Sequence, residues 1–73
     1  MTLDQLKDGE SASIHALRHE GEVGVRLMEM GLFEGARVTV LRRAPMGDPI
    51  EIQLGDYRLS LRRTEACAID VTP

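Results

Sequence analysis

Hydrophobic and polar residues alternate along most of this chain, and a period of two residues is typical of half-buried β-strands. The stretch from Ser11 to Leu17 places Ala12, Ile14 and Ala16 on one predicted face and polar residues on the other. Four further stretches complete a set of five predicted strands: Arg37 to Arg43, Ile50 to Leu54, Arg58 to Arg62 and Ala68 to Val71. Leu41 interrupts the alternation of the second of these strands, so we expect its side chain to be partly exposed or packed under a loop.

The third and fourth predicted strands are separated by a connection that favours a tight hairpin. Gly55-Asp56 is a pair of residues that commonly closes a two-residue turn of the primed type. Because a one-residue slip would move every side chain to the opposite face, the turn fixes the register. The predicted cross-strand pairs are Leu54 with Tyr57, Ile52 with Leu59, and Ile50 with Leu61.

The hydrophobic period lengthens between Glu22 and Met30, which indicates an amphipathic helix. Val23, Leu27 and Met30 are separated by four and three residues, and the charged residues fall largely elsewhere. We therefore predict a helix of about two and a half turns that buries these three side chains.

Capping residues mark where the helical segments begin and end. Gly31 follows the predicted helix directly, as a left-handed C-cap requires, and Leu32 can pack back onto the last turn as the hydrophobic contact of a Schellman motif. At the other end of the chain, Thr2 and Gln5 form a capping box, which predicts one helical turn over Leu3 to Leu6. A further single turn is predicted at Thr64-Glu65-Ala66.

Five short strands and one inserted helix predict a mainly β fold, a small and partly open β-barrel, formed by residues 1–73 as a single domain. Phe33 and Tyr57 are the only aromatic residues, so the core must consist of aliphatic side chains and methionine. Cys67 is the only cysteine, which excludes an internal disulfide and favours a reducing compartment. No segment approaches the length of a membrane span, so we expect a cytoplasmic protein.

Charge and motif content exclude several classes of function. The net charge of −3 argues against a general nucleic-acid binder, although eight of the nine basic residues are arginine. His15 and His19 fall in a strand pattern, where residues four apart are distant from each other, and no other residues complete a metal-ligand set. There is no Gly-rich phosphate loop and no nucleophile beside a base. We expect no catalytic residue, no metal site and no cofactor.

Several motifs occur together in one order: Arg26-Leu27-Met28-Glu29-Met30-Gly31-Leu32, Gly35, Val38 to Arg43, Ala44-Pro45-Met46-Gly47-Asp48-Pro49-Ile50, Leu59-Ser60-Leu61-Arg62, and Ala66. With these motifs the chain resembles the FeoA family, small cytosolic proteins of bacterial ferrous iron transport. The resemblance implies an SH3-like β-barrel and a role beside FeoB, the Fe(II)-importing membrane permease with a cytosolic GTP-binding domain. The chain is also similar to the C-terminal SH3-like domain of iron-dependent repressors of the diphtheria-toxin-repressor type, without their winged-helix segment.

The candidate partner-binding residues come from three features of the sequence. The proline-rich connection between the second and third strands predicts a rigid loop that presents Met46 at little entropic cost. Met28 and Phe33 lie outside the apolar face of the predicted helix, and together they predict an exposed hydrophobic patch beside the helix end. The alternative is that Phe33 caps the barrel. Arginines near the loop could reach the permease's GTPase site. The complete set is Met28, Leu32, Phe33, Arg42, Arg43, Met46 and Arg63.

The function we expect is that of a non-enzymatic interaction module on the cytosolic side of the FeoB-type permease, affecting its assembly or activity. A further small accessory subunit is a second candidate partner, self-association stays open, and the protein could be peripheral at the inner membrane through its partner. The alternatives are a small nucleic-acid-binding barrel that uses the arginine pairs, and an SH3-like metal-dependent regulator or iron chaperone. The small number of aromatic residues disfavours the first alternative, because single-stranded nucleic acids stack on aromatic side chains.

Overall fold

A computed structural model describes all residues from 1 to 73. Its elements are a 3₁₀ turn (Leu3–Gln5), strand β1 (Ser11–Leu17), helix α1 (Gly21–Glu29), strands β2 (Arg37–Arg43), β3 (Ile50–Leu54) and β4 (Tyr57–Leu61), helix α2 (Arg63–Ala66) and strand β5 (Ile69–Thr72). The five strands form one sheet in the order β4-β3-β2-β1-β5, and every neighbouring pair is antiparallel. The predicted mainly β fold with five strands and one inserted helix is therefore confirmed.

The hairpin of β3 and β4 has the register that the alternation predicted. Leu54 pairs with Tyr57, and the next apolar pairs follow at intervals of two residues. Gly55 has a φ of +60°, and no residue other than glycine has a positive φ, which is the pattern of a type II′ turn. Leu41 is skipped in the pairing of β2 with β3 and is half-buried, as its break in the alternation indicated.

The core consists of fifteen buried apolar residues and contains no buried polar side chain. Every strand contributes to it, and the N-terminal turn adds Leu3 and Leu6, while α1 adds Leu27. The Thr2 N–H donates a 2.8 Å hydrogen bond to Gln5 Oε1, the backbone half of the predicted capping box. Because this interior is filled with aliphatic side chains, any recognition has to use the surface of the barrel.

Helix α1 differs from its prediction in the residues it buries. Val23 is 39% exposed, whereas Gly24 is buried beside the backbone of His19. A Cβ on Gly24 would lie 2.6 Å from the His19 carbonyl oxygen, so this close approach brings the helix against the preceding segment through a residue without a side chain. The prediction that Val23 is a core residue was therefore wrong, while Leu27 and Met30 do pack on the core.

The helix stop was predicted correctly, with its mechanism. Gly31 has a φ of +101° and donates its N–H to the Met28 carbonyl at 3.0 Å. The Leu32 N–H donates to the Leu27 carbonyl, also at 3.0 Å, which completes a Schellman motif. Leu32 follows with a fully buried side chain.

The two edges of the sheet are treated differently. The edge at β5 is covered by the N-terminus, because Val71 donates its N–H to the Met1 carbonyl at 2.8 Å and Thr2 bridges Asp70. The edge at β4 pairs only with β3. Neither helix has the length and hydrophobicity needed to cross a membrane.

Candidate partner-binding surface

The candidate partner-binding residues lie at two opposite ends of the sheet. Strand β2 runs from Arg37, which lies near Phe33, to Arg43, which lies near the loop that carries Met46. Seven extended residues separate these ends by about 20 Å. The structure therefore divides the predicted set into an apolar end and an arginine-rich end.

At the apolar end, Phe33 and Tyr57 line one shallow depression of about 330 Å³, which we call the Phe33–Tyr57 pocket. The two aromatic side chains are 52% and 47% exposed. The remaining lining residues are Gly31, Ala36, Arg37, Leu54 and Gly55. Phe33 is therefore an exposed wall of a surface pocket, and the alternative that it simply caps the core does not hold.

The pocket forms because the end of α1 meets the β3–β4 hairpin. The left-handed turn at Gly31 directs the chain away from the helix axis, which buries Leu32 and leaves Phe33 outside. Tyr57 packs over Gly31, since a Cβ at that glycine would lie 2.8 Å from Tyr57 Oη. The predicted pairing of Tyr57 with Leu54 is confirmed, whereas the place of Tyr57 in this patch was not predicted; its position directly after the hairpin turn is the signal in the sequence.

Leu32 is a correction to the predicted partner-binding set. Its side chain is completely buried, so it supports the pocket from below and offers no surface to a partner. Met28 is 49% exposed and shares a helix face with Val25, three residues earlier, which is 53% exposed. Val25 and Met28 therefore form an exposed apolar strip on α1.

At the opposite end, the β2–β3 loop holds Met46 almost fully in solvent, at 90% exposure. Two backbone hydrogen bonds brace the loop: the Ala44 N–H donates to the Pro49 carbonyl at 3.1 Å, and the Gly47 N–H donates to the Ala44 carbonyl at 2.7 Å. Asp48 Oδ1 accepts a 3.0 Å bond from the Arg63 N–H, which attaches the loop to α2. The methionine side chain is therefore presented on a constrained backbone.

The three candidate arginines at this end have different roles. Arg43 donates to the carbonyl oxygens of Asp4 and Leu6, both at 2.6 Å, so its guanidinium attaches the N-terminal turn to β2. This structural role contradicts its prediction as a freely available partner-binding group. Arg42 is solvent-exposed and forms an ion pair with Glu51 at 3.6 Å, and the exposed Arg63 side chain has no hydrogen bond or ion pair.

The groups that could perform other chemistry are dispersed or engaged in local contacts. His15 is exposed, and His19 Nε2 lies 2.7 Å from the Glu65 carbonyl oxygen. The thiol of Cys67 donates to the Thr64 carbonyl at 3.2 Å. No three side chains of His, Cys, Asp or Glu converge on a point where a metal ion could bind.

Comparisons with known proteins agree on one family. The model of the FeoA domain family matches residues 1–73. A fusion of Fe(2+) transport protein A with the Fe(2+) transporter FeoB, from Porphyromonas gingivalis, is 38% identical over 71 residues. That match covers 97% of this chain but only 8% of the fusion protein's length.

Two solved structures place the fold. The FeoA protein from Chlorobium tepidum is 45% identical and superposes with a TM-score of 0.92, covering 97% of this chain and 68% of that one. A zinc complex of FeoA from Stenotrophomonas maltophilia, described as a prokaryotic SH3 domain protein, is 30% identical with a TM-score of 0.86 and covers 99% and 89% of the two chains. The sheet seen here is thus the SH3-like barrel that the sequence motifs implied, and the chain belongs to the FeoA family.

Proposed function

We propose that this chain is a non-enzymatic accessory protein of bacterial ferrous iron uptake, which binds a cytosolic part of a FeoB-type permease and affects its assembly or activity. The observation that carries the proposal is the fusion relative, in which a segment similar to 97% of this chain shares one polypeptide with the Fe(2+) transporter FeoB. Two domains that are fused in one organism commonly act together when they are encoded as separate chains. The chain would then act at the cytosolic face of the membrane through its partner.

The Phe33–Tyr57 pocket is the surface we assign to this partner. Protein interfaces derive much of their affinity from a few aromatic anchors that become desolvated in a shallow apolar site. Phe33 and Tyr57 offer two such side chains on well-formed backbone, one after the Schellman motif and one at the start of a strand. The exposed apolar strip of Val25 and Met28 on α1 provides further apolar surface.

A role as a binding module also fits the chemistry of the whole domain. The core holds no buried polar side chain that could be positioned for catalysis. Of the arginines considered as candidates for the permease's GTPase site, Arg43 is occupied by two carbonyl oxygens, which leaves Arg42 and Arg63.

The test is co-purification of this chain with the cytosolic domain of the permease, with and without guanine nucleotide. We expect Phe33→Ser to weaken the complex by about tenfold or more, because the loss of one aromatic anchor costs about 1–2 kcal/mol. Met46→Ser, at the opposite end of the sheet, is the matched control and should change affinity less than about twofold. Both side chains are at least half exposed, so neither change should disturb the fold.

Two outcomes would contradict the proposal. If the Met46→Ser variant lost binding and the Phe33→Ser variant kept it, the partner would contact the loop end and the surface assignment would be wrong. If deletion of the protein left ferrous iron uptake unchanged, and no complex formed with either nucleotide state, the accessory role itself would be excluded.

A further inference from the structure

The outer edge of strand β4 is an unpaired stretch of backbone at the surface. In a two-residue hairpin the residues flanking the turn exchange hydrogen bonds, so Tyr57, Leu59 and Leu61 bond to β3. The N–H and C=O groups of Arg58 and Ser60 then point away from β3. No other strand pairs with β4, whereas the N-terminus covers the opposite edge at β5.

A groove of about 560 Å³ runs beside this edge, between β4 and helix α1. Its lining includes the apolar residues Leu61 of β4 and Val23 and Met30 of α1, and its remaining residues are polar or charged, among them the ion pair of Arg26 with Glu65. Val23 is 39% exposed and Met30 is half-buried, so apolar surface lies within reach of a chain placed alongside β4. The exposure of Val23, which the helix periodicity did not predict, belongs to this groove.

Three arginines without an acidic partner lie along the same edge. Arg58, Arg62 and Arg63 are exposed and take part in none of the four ion pairs of the domain. The nearby Glu65 is already engaged, because its carboxylate accepts from the Arg62 N–H at 2.8 Å and from Arg26 at 3.3 Å. The edge therefore presents unpaired backbone together with unneutralised positive charge.

From this arrangement we propose that β4 receives an extended segment of the partner by β-strand addition, and that the segment alternates acidic with apolar residues. Along an added strand, side chains on the outer face would lie next to Arg58, Ser60 and Arg62, where acidic groups are favoured. Side chains on the inner face would lie over the groove against Val23 and Met30, where apolar groups are favoured. The inference rests on the proposed function, because it describes how the module recognises its partner.

The same charges disfavour a second copy of this chain as the occupant. A two-fold pairing of β4 with itself, centred on Ser60, would place Arg58 of one copy opposite Arg62 of the other. Like charges directly opposite each other destabilise an antiparallel pair. Arginines on an edge strand also discourage aggregation. If protection against aggregation were their only role, the edge would not distinguish acidic from basic peptides.

The experiment uses NMR of the backbone amides to measure binding of the purified chain to a short synthetic peptide that alternates glutamate and valine. We expect shift changes and slowed hydrogen exchange at the Arg58 and Ser60 amides. A matching peptide of lysine and valine should not bind. Replacing both arginines, Arg58→Glu with Arg62→Glu, should weaken binding of the glutamate peptide by about tenfold, since each exposed ion pair contributes up to about 1 kcal/mol.

Two further comparisons isolate the backbone contribution. Ser60→Pro removes one outward N–H, a change that edge strands tolerate, and should abolish binding, whereas Ser60→Ala should retain it. If Ser60→Pro fails to fold, a glutamate–valine peptide methylated on alternate backbone nitrogens replaces it and should not bind the native chain.

Any of four results would overturn the inference. The first two are shift changes confined to the Phe33–Tyr57 pocket and equal binding of both peptides. The other two are dimer formation through β4 and binding of an RNA oligonucleotide in place of the glutamate peptide. Peptide binding without a complex with the permease would uphold the inference and reject the proposed function. If the Ser60→Pro and double-arginine variants still formed an unchanged complex with the permease, the proposed function would be upheld and the inference about β4 rejected.

Discussion

Replacing Gly31 with alanine should destabilise the domain strongly, for two separable reasons. The backbone at this position has a φ of +101°, which L-residues with a Cβ rarely adopt, at a cost of about 1–2 kcal/mol. The added Cβ would also lie 3.0 Å from Cδ2 of the buried Leu54, and relieving this overpacking costs about 1–2 kcal/mol more. Its 2.8 Å approach to Tyr57 Oη costs less, because that hydroxyl is the tip of a half-exposed side chain. We therefore expect Gly31→Ala to lower the free energy of unfolding by about 2–4 kcal/mol.

This loss is large for a chain of 73 residues. Domains are stabilised by about 0.05–0.15 kcal/mol per residue, which gives roughly 4–11 kcal/mol here. For a domain of this size, each kcal/mol shifts Tm by about 4–8 °C, so the variant should melt roughly 10–30 °C lower. Urea unfolding followed by far-UV circular dichroism measures the free energy directly. This signal also serves the Tyr57→Phe variants below, which lose the only tyrosine of a chain without tryptophan.

Gly35→Ala is the matched control, because it separates backbone strain from contact. Gly35 has a φ of +91°, yet a Cβ there would have no atom within 4 Å. This variant should show the backbone cost of about 1–2 kcal/mol alone. Combining Gly31→Ala with Tyr57→Phe, which removes the contacting hydroxyl, should give only a small coupling energy, because the exposed end of the ring can move aside. Equal losses for the two glycine variants would refute the claim that the buried Leu54 side chain crowds a Cβ at position 31.

Two further pairs of substitutions test the corrections to the predicted partner-binding set. Arg43→Ala should lower the free energy of unfolding by about 2 kcal/mol, because two carbonyl oxygens lose a charged donor. The control Arg42→Ala should change this free energy by less than about 0.5 kcal/mol. Similar values for the two variants in urea unfolding would contradict the structural role of Arg43. Leu32→Ala should lower the free energy of unfolding by about 2–5 kcal/mol, because the Leu32 side chain is fully buried. Phe33→Ala, at the exposed neighbouring position, should lower it by about 1 kcal/mol or less. The reverse order in thermal melts would show that Phe33 is the buried side chain and Leu32 the exposed one.

The strands could be predicted from the sequence because two independent signals agree on them. In the β3–β4 hairpin, the alternation assigns each residue to a face, and the two-residue turn at Gly55-Asp56 fixes which residues are opposite. The alternation alone excludes a slip of one residue but permits a shift of two, and the two-residue turn removes that remaining ambiguity. The helix stop at Gly31 was predictable for a similar reason, since the glycine and the following Leu32 satisfy one motif together.

The errors occur where a contact with the backbone of another segment determines the outcome. The helix pattern favoured burial of Val23, because periodicity weighs side chains, whereas α1 packs through Gly24 against the His19 carbonyl. Arg43 was interpreted as a surface arginine, since no sequence pattern reveals that two carbonyl oxygens of the N-terminal turn lie within its reach. Tyr57 was missed for the same reason, because its neighbour Gly31 is 26 positions away in the chain.

Strand β4 connects the surfaces that the sequence analysis treated as separate. It begins at Tyr57 in the apolar pocket and ends at Leu61, directly before the arginines that lead into α2 and contact the β2–β3 loop. A partner segment added along β4 would therefore extend from the aromatic anchors toward Arg62 and Arg63 while forming main-chain hydrogen bonds between them. A domain this small, whose core has no space for a buried site, gains specificity in this way by combining an apolar anchor, an open strand edge and a directional charge pattern on one side of the barrel.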